Sequence, residues 1–160
     1  MTVTDTSCIG ANVGCSAGQI AGLLHQNGTT TSSEYGQARR TASITGACVA
    51  LGIALDKLIR EGKVPPSAWL DTVSAISLGI VKGEVLTDLD YNEDSGCEAD
   101  TNFVVTGTGK LVEVQGTAEQ APFSPEKLQE LTTAALRATK TLKQVQLETF
   151  RKLGVSSMPS

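Results

Sequence analysis

From Thr41 to Glu61, Ile44, Ala47, Cys48, Leu51, Ala54, Leu55 and Leu58 recur at a helical period and leave Asp56, Lys57 and Arg60 on the other side. This pattern predicts an amphipathic helix with its charged residues in water. Gly46 and Gly52 each cost such a helix about 1 kcal/mol against alanine, so close packing of another backbone on that face is expected. Gly62 and the pair Pro65-Pro66 end it, as a left-handed cap and an interrupted hydrogen-bond ladder would. Thr72 to Val81 alternates and then runs apolar, Lys82-Gly83 reads as a turn, and Glu84 to Leu89 alternates again. That is a β-hairpin signature. Asn102 to Thr106 and Lys110 to Gln115 form a second pair around Gly107-Thr108-Gly109. Ser124 is placed to cap a final helix, with Pro125 at its first position and Glu126 near the positive end of its dipole. The helix should run to about Leu153 and stop at Gly154. Its stripe of Leu128, Leu131, Ala135, Ala138, Leu142, Val145 and Leu153 is expected to lie on the sheet. The pattern predicts an α+β fold, a β-sheet with two long helices packed on it.

Residues 1–38 carry no such rhythm. Sixteen of them are Gly, Ser or Thr, and the tract from Gly28 to Ser33 has no apolar anchor, so this segment reads as loop or disorder. Ile20 to Leu24 is an apolar cluster too short to distinguish a helical turn from a strand. Gly10, Gly14 and Gly18 recur every four residues without the Gly-Lys-Ser/Thr that a phosphate-cradling loop requires. The domain is expected to span 39–155, followed by a tail at 156–160.

Charge sharpens this division. All thirteen basic residues lie from Arg39 onward, and the formal net charge is -4, which argues against a surface wholly devoted to polyanions. On the last helix Lys127, Arg137, Lys140, Lys143, Arg151 and Lys152 form a basic face. It could meet a phosphate backbone or simply be solvated. The longest apolar runs, such as Ala47 to Leu51, fall short of a membrane span, and no basic segment precedes an apolar one at the N-terminus. A cytoplasmic protein with no membrane partner is the simplest expectation. Cys8, Cys15, Cys48 and Cys97 show no metal or scaffold spacing and are expected as free thiols. Cys8 and Cys15 with His25 fit no zinc pattern.

Candidate chemistry concentrates between Asp88 and Asp100. Asp88, Asp90, Glu93, Asp94, Glu98 and Asp100 lie there with no basic residue among them, a composition that invites a divalent cation. A calcium loop starting at Asp88 fails, because the glycine needed at its sixth place is Glu93 and the bidentate glutamate at its twelfth is Ala99. An acidic loop joining two strands remains the competing reading, in which an aspartate only caps a short helix or a turn.

The run DLDYNEDSGCEADTNFVVTGTGKLVEVQGTAE, from Asp88 to Glu119, resembles the signature half of bacterial ribonuclease PH, as does RTASITGACVAL from Arg40 to Leu51. The resemblance implies a ribosomal protein S5 domain 2-like half-fold. It also implies a phosphorolytic 3′ to 5′ exoribonuclease that uses inorganic phosphate to trim the 3′ end of tRNA, within a homo-oligomeric ring of six. In that family a Gly-Gly-Thr-Arg-Thr-Ala-Ser run cradles phosphate at a helix N-terminus. Arg40 keeps its arginine, Arg39 stands for the threonine, and Ala38 and Gln37 replace the glycines. Asp94 and Asp100 match the family aspartates associated with the catalytic Mg2+, with Asp90 and Glu93 as supports. The family's N-terminal strands and its further phosphate-gripping arginine have no counterpart here. That loss would expose one sheet edge and the apolar faces of both helices, favouring self-association. A non-catalytic ring or scaffold subunit and an inactive truncated remnant are the rival readings.

Overall fold

A computed structural model describes residues 36–89 and 91–159, the side chains of 36–39, 91 and 92 excepted. Expectations placed on Cys8, Cys15, His25, the glycine series, Ile20 to Leu24 and Asp90 lie outside the described residues.

The alternating segments pair as antiparallel strands β1 (Val73–Val81), β2 (Glu84–Thr87), β3 (Ala99–Thr106) and β4 (Leu111–Ala118), in the order β2-β1-β3-β4. The hairpin between β1 and β2 closes as expected, with Lys82 at φ 52° and Gly83 at φ 80°. Positive φ at both turn residues matches the twist of the flanking strands. Two helices run long, α1 (Gly36–Arg60) and α3 (Pro125–Lys152). Between β2 and β3 a short helix, α2 (Tyr91–Ser95), replaces the plain loop that the acidic composition suggests.

Each face of the sheet has its own partner. Leu78, Ile80, Ala99, Phe103 and Val105 are buried against Leu131, Ala134 and Ala135 of α3. On the opposite face Ala75 and Val104 pack with Ile44 of α1. Helix α1 also completes the edge of β1 that the short β2 does not reach. Thr45 Oγ1 accepts from the Ala75 amide at 3.1 Å, and Cys48 Sγ accepts from the Val73 amide at 3.2 Å. Backbone donors that would be orphaned at that edge are thereby satisfied. By length and composition alone α1 could cross a membrane. Here one side of it packs on the sheet through Ile44, while Ile53 stays 40% exposed.

At their far ends the helices meet. The Trp69 and Phe150 rings lie edge to face, 5.2 Å apart at 79°, a geometry worth about 1 kcal/mol beyond burial. A Cβ on Gly52 would come 2.7 Å from both rings, so this glycine does mark close packing, against aromatic side chains. Gly46 has open space beside it, so the same expectation fails there. Ser124 caps α3 by accepting from the Lys127 amide at 3.3 Å, and Gly154 at φ 71° ends it.

Two expectations on the helices need correction. Asp56 is 1% exposed. Its Oδ1 accepts from the Ser156 and Ser157 amides, each at 2.9 Å, and Oδ2 pairs with Arg60 Nε at 2.9 Å. Periodicity assigns a carboxylate to water, but here donors from the chain end replace water. Next to it, Val155 is buried with Trp69 and Phe150, and Met158 of the segment 156–160 packs against that cluster. On α3, Leu128, Val145 and Leu153 are exposed whereas Gln146 is buried. Gln146 Nε2 bridges the Thr45 carbonyl at 3.0 Å and the Val73 carbonyl at 2.9 Å, so a polar clamp takes the place of an apolar contact. The inner faces of both helices are covered by the sheet. Strand β4 is open as well, with Leu111, Val112 and Val114 exposed.

Candidate functional site

Strand alternation puts Asp100, Asn102 and Val104 on one face, opposite Gly79, Ser77 and Ala75 of β1. On the other side of β3 they face Thr117, Gln115 and Glu113 of β4. Polar residues thus occupy the end of this face that α1 leaves uncovered.

The acidic segment is folded over that end. Asp88 adopts φ 59°, a conformation aspartate tolerates, while its amide donates to the Ser77 carbonyl at 2.9 Å. The turn lays Leu89 on Gly79, where an added Cβ would come 2.5 Å from Leu89 Cδ1. Helix α2 follows with Glu93 and Asp94, and Cys97 donates its amide to the Asp94 carbonyl at 3.3 Å. Glu98 is tied in twice: its Oε1 accepts from the Gly83 amide, and its carbonyl accepts from the amides of Glu119 and Gln120. Gln120 Nε2 in turn donates to the Gly96 and Cys97 carbonyls, at 3.2 and 3.3 Å. These bonds return the end of β4, with Glu119, to the acidic segment.

Asp100 is 8% exposed. Burial pushes its carboxyl up to about 6, and the negative charges of Asp94 and Glu119 push the same way, against opposing hydrogen bonds from the Thr101 amide and the Ser77 side chain. Burial also raises the Cys97 thiol, helped by Asp100, Asp94 and Glu119, so Cys97 stays protonated and unreactive. Cys48 and Cys97 are free, as expected.

The structure therefore brings Asp94 and Asp100 into one electrostatic group and adds Glu119, Ser77 and Gly79. Glu119 stands 19 positions beyond Asp100 in sequence, Ser77 and Gly79 more than 20 before it. Only strand pairing joins them. Among the described residues no three His, Cys, Asp or Glu side chains form a cage for a metal. Two carboxylates suit Mg2+ nonetheless, because Mg2+ keeps several waters and takes one or two carboxylates alongside substrate phosphates.

The expected phosphate cradle sits at the other end of the same face. Arg39 and Ala38 lie in the first turns of α1, and Arg40 reaches across to β4, where its guanidinium pairs with Glu113 at 3.3 Å. Glu113 and Thr117, the partner of Asp100, are four residues apart on β4, which separates Arg40's contact from Asp100 by roughly 13 Å along the strand. The cation and the acid group share a face without touching. The basic face of α3 is partly engaged within the fold: Lys127 holds Glu130 and the Gly83 carbonyl, Lys143 holds the Gly107 carbonyl, and Lys152 holds Glu148.

Comparison with known proteins gives this arrangement a class. Residues 71–138 match the 3′ exoribonuclease family, domain 2. Among curated proteins, ribonuclease PH of Neisseria meningitidis (serogroup C) is 50% identical over 107 residues, which is 67% of this chain and 44% of the relative. Ribonuclease PH of Neisseria gonorrhoeae (strain NCCP11945) is 54% identical over 96 residues, 60% of this chain and 40% of the relative. The matched part of the chain is similar to domain 2 of the 3′ exoribonuclease family and corresponds to the C-terminal region of ribonuclease PH. Its α+β architecture agrees with the S5 domain 2-like half-fold. The chain spans less than half the length of the curated relatives it matches.

Proposed function

We propose that this chain carries the acidic half of a phosphorolytic 3′ to 5′ exoribonuclease site that trims tRNA 3′ ends. The observation that carries the reading is the buried Asp100, whose carboxyl burial and the charges of Asp94 and Glu119 push up to about 6. Such a group is costly unless a cation relieves it.

In the reaction an oxygen of inorganic phosphate attacks the terminal phosphodiester, the bond to the preceding 3′ oxygen breaks, and a nucleoside diphosphate leaves. The shortened RNA takes up a proton on its new 3′ hydroxyl. Asp94 and Asp100 would hold Mg2+, which when bound supplies positive charge to the transferring phosphoryl group and the leaving oxygen. Ser77 and the Thr101 amide orient Asp100 through their hydrogen bonds. Gly79 admits Leu89 and so seats the segment bearing Asp94. Arg40, with Arg39 and the backbone around Ala38, would hold the attacking phosphate at the start of α1. The whole enzyme's ring of six and its location in the cytoplasm belong to the same proposal.

The test is to incubate the purified chain with a tRNA bearing extra 3′ nucleotides, Mg2+ and phosphate, and to measure nucleoside diphosphates. Product that disappears in Asp94→Asn supports the reading. Absence of product from the unaltered chain removes the enzyme reading and leaves the non-catalytic subunit. That alternative has its own support in the replaced glycines at Gln37 and Ala38 and in the Arg40–Glu113 pair, which already occupies the arginine.

A further inference from the structure

Arg40 and Glu113 stand 73 positions apart in sequence, and one buried contact sets both of them. Val104 packs with Ile44 and Ala75 beneath α1. Ile44 follows Arg40 by about one helical turn, and Glu113 is the cross-strand partner of Val104. The core therefore brings the start of α1 to the middle of β4 and leaves the two charged side chains facing across the seam.

What they form there is a weak bond. Arg40 Nη2 donates to Glu113 Oε1 at 3.3 Å, with the two side chains 41% and 36% exposed. A strong charge-assisted bond is nearer ~2.8 Å, and exposed pairs contribute little to stability. The contact engages one nitrogen of the guanidinium, and among the described residues no second acceptor meets the rest of the fork. The first turn of α1 contains no acidic residue, so the carboxylate in contact with this positive helix start comes from another element. An arginine held this loosely is positioned and yet free to change partners.

We propose that Glu113 is the internal counter-ion of the phosphate cradle: its carboxylate holds Arg40 over β4 while phosphate is absent, and phosphate takes Arg40 from it. The inference rests on the reading of the α1 start as the place where the attacking phosphate is held. Phosphate offers the fork two oxygens in parallel and a second negative charge, whereas Glu113 engages one nitrogen. The exchange therefore runs toward phosphate. Its cost is a phosphate affinity about two- to fivefold lower than an unpaired arginine would give, the range set by exposed ion pairs. Glu113 also keeps the cation apart from the acid group on the same face, so that the two halves of the site do not neutralise each other. The Arg40–Glu113 pair is then a resting contact and ceases to count for the non-catalytic subunit.

The test is calorimetric titration of inorganic phosphate into the full chain at fixed ionic strength, without RNA or Mg2+. Glu113→Gln keeps the shape of the side chain and removes its charge, and should tighten phosphate binding by about threefold. Loss of a merely structural pair would not tighten it. Arg40→Gln should weaken binding at least about tenfold, and adding Glu113→Gln to it should restore nothing. Glu61→Gln, roughly 30 Å along α1 from Arg40, removes a carboxylate elsewhere and should leave the affinity as it was. Affinity unchanged or weakened by Glu113→Gln, the same gain from Glu61→Gln, or a full gain in the Arg40→Gln background overturns the proposal. If phosphate binds neither the unaltered chain nor any variant, the cradle falls and this inference with it. If it binds the unaltered chain and Glu113→Gln equally, the cradle stands and only the role of Glu113 falls. No turnover is measured, so absence of phosphorolysis by this chain would not mimic either result.

Discussion

Two buried aspartates of this chain end in opposite electrostatic states. Asp56 on α1 and Asp100 on β3 are both nearly inaccessible. Burial pushes the Asp56 carboxyl up, but the amides of Ser157 and Ser156 and then the Arg60 guanidinium outweigh it, and the group settles below the usual carboxylate range. Asp100 has hydrogen bonds from Thr101 and Ser77 but meets Asp94 and Glu119 where Asp56 meets Arg60. The first site is complete within the fold. At the second, burial and two like charges outweigh the hydrogen bonds, a perturbation of the kind that clusters at functional sites.

The largest effect should come from dismantling the complete site. Asp56→Ala strands the Ser156 and Ser157 amides it holds, so it should lower unfolding free energy by about 3 kcal/mol in urea titration. A loss below 1 kcal/mol would mean that the chain end is not held as described.

The opposite sign is expected at Asp100. A carboxyl raised to about 6 in the fold from 3.8 costs at most ~3 kcal/mol when ionised, trimmed by solvent screening to about 1–2 kcal/mol. Asp100→Asn should therefore stabilise the metal-free chain by about that amount at pH 8. The favourable contribution of the protonated group is fully present below its unfolded value and is lost as pH rises through about 6, so the mutant's advantage should vanish by pH 4. Asp56 runs the other way. Its contribution holds above its unfolded value and fades as pH falls through the lower folded one. Thermal melts across pH 4 to 8 of both mutants and the unaltered chain separate the two, and parallel curves would erase the distinction. Asp100→Asn should at the same time end any Mg2+-dependent phosphorolysis.

How much of this was legible in the sequence follows from which residues act locally. The helices, the four strands, the Lys82-Gly83 turn and the Ser124 cap depend on neighbours a few positions away, and their pattern shows directly. Asp56 reads as a surface residue because its partners Ser156 and Ser157 stand 100 and 101 positions away. Gln146 misleads for the same reason, its acceptors being the Thr45 and Val73 carbonyls. At the candidate site, Asp94 and Asp100 stand out through composition and resemblance. Ser77 and Glu119 carry no local signal, since only the β1–β3–β4 register brings them beside Asp100. A glycine followed by an apolar run in a strand hints at a close approach, and Gly79 is the residue where that hint was available.

Gly79 links sheet and acidic segment, and its replacement tests whether the Asp100 site depends on that seat. Gly79→Ala forces the end of Leu89 to move while leaving the Asp56 site untouched. A cost of about 1 kcal/mol is expected from overpacking, together with a drop in Mg2+ affinity measured by calorimetry. Unchanged Mg2+ binding would show that Asp94 is positioned without Leu89.

The smallest expected effect concerns what holds Asp56. Arg60 is 60% exposed in its side chain, so its attraction is screened, and it follows both backbone amides in depressing the carboxyl. Arg60→Met retains the aliphatic stem and removes the charge. The loss should be about 0.5 kcal/mol and shrink further in 0.5 M salt, as for other exposed ion pairs. A loss approaching that of Asp56→Ala would place the guanidinium, not the chain end, at the centre of the site. The contrast with Asp100 would then reduce to the presence or absence of one cation, and introducing a lysine at Glu119 should lower the Asp100 carboxyl in the same way.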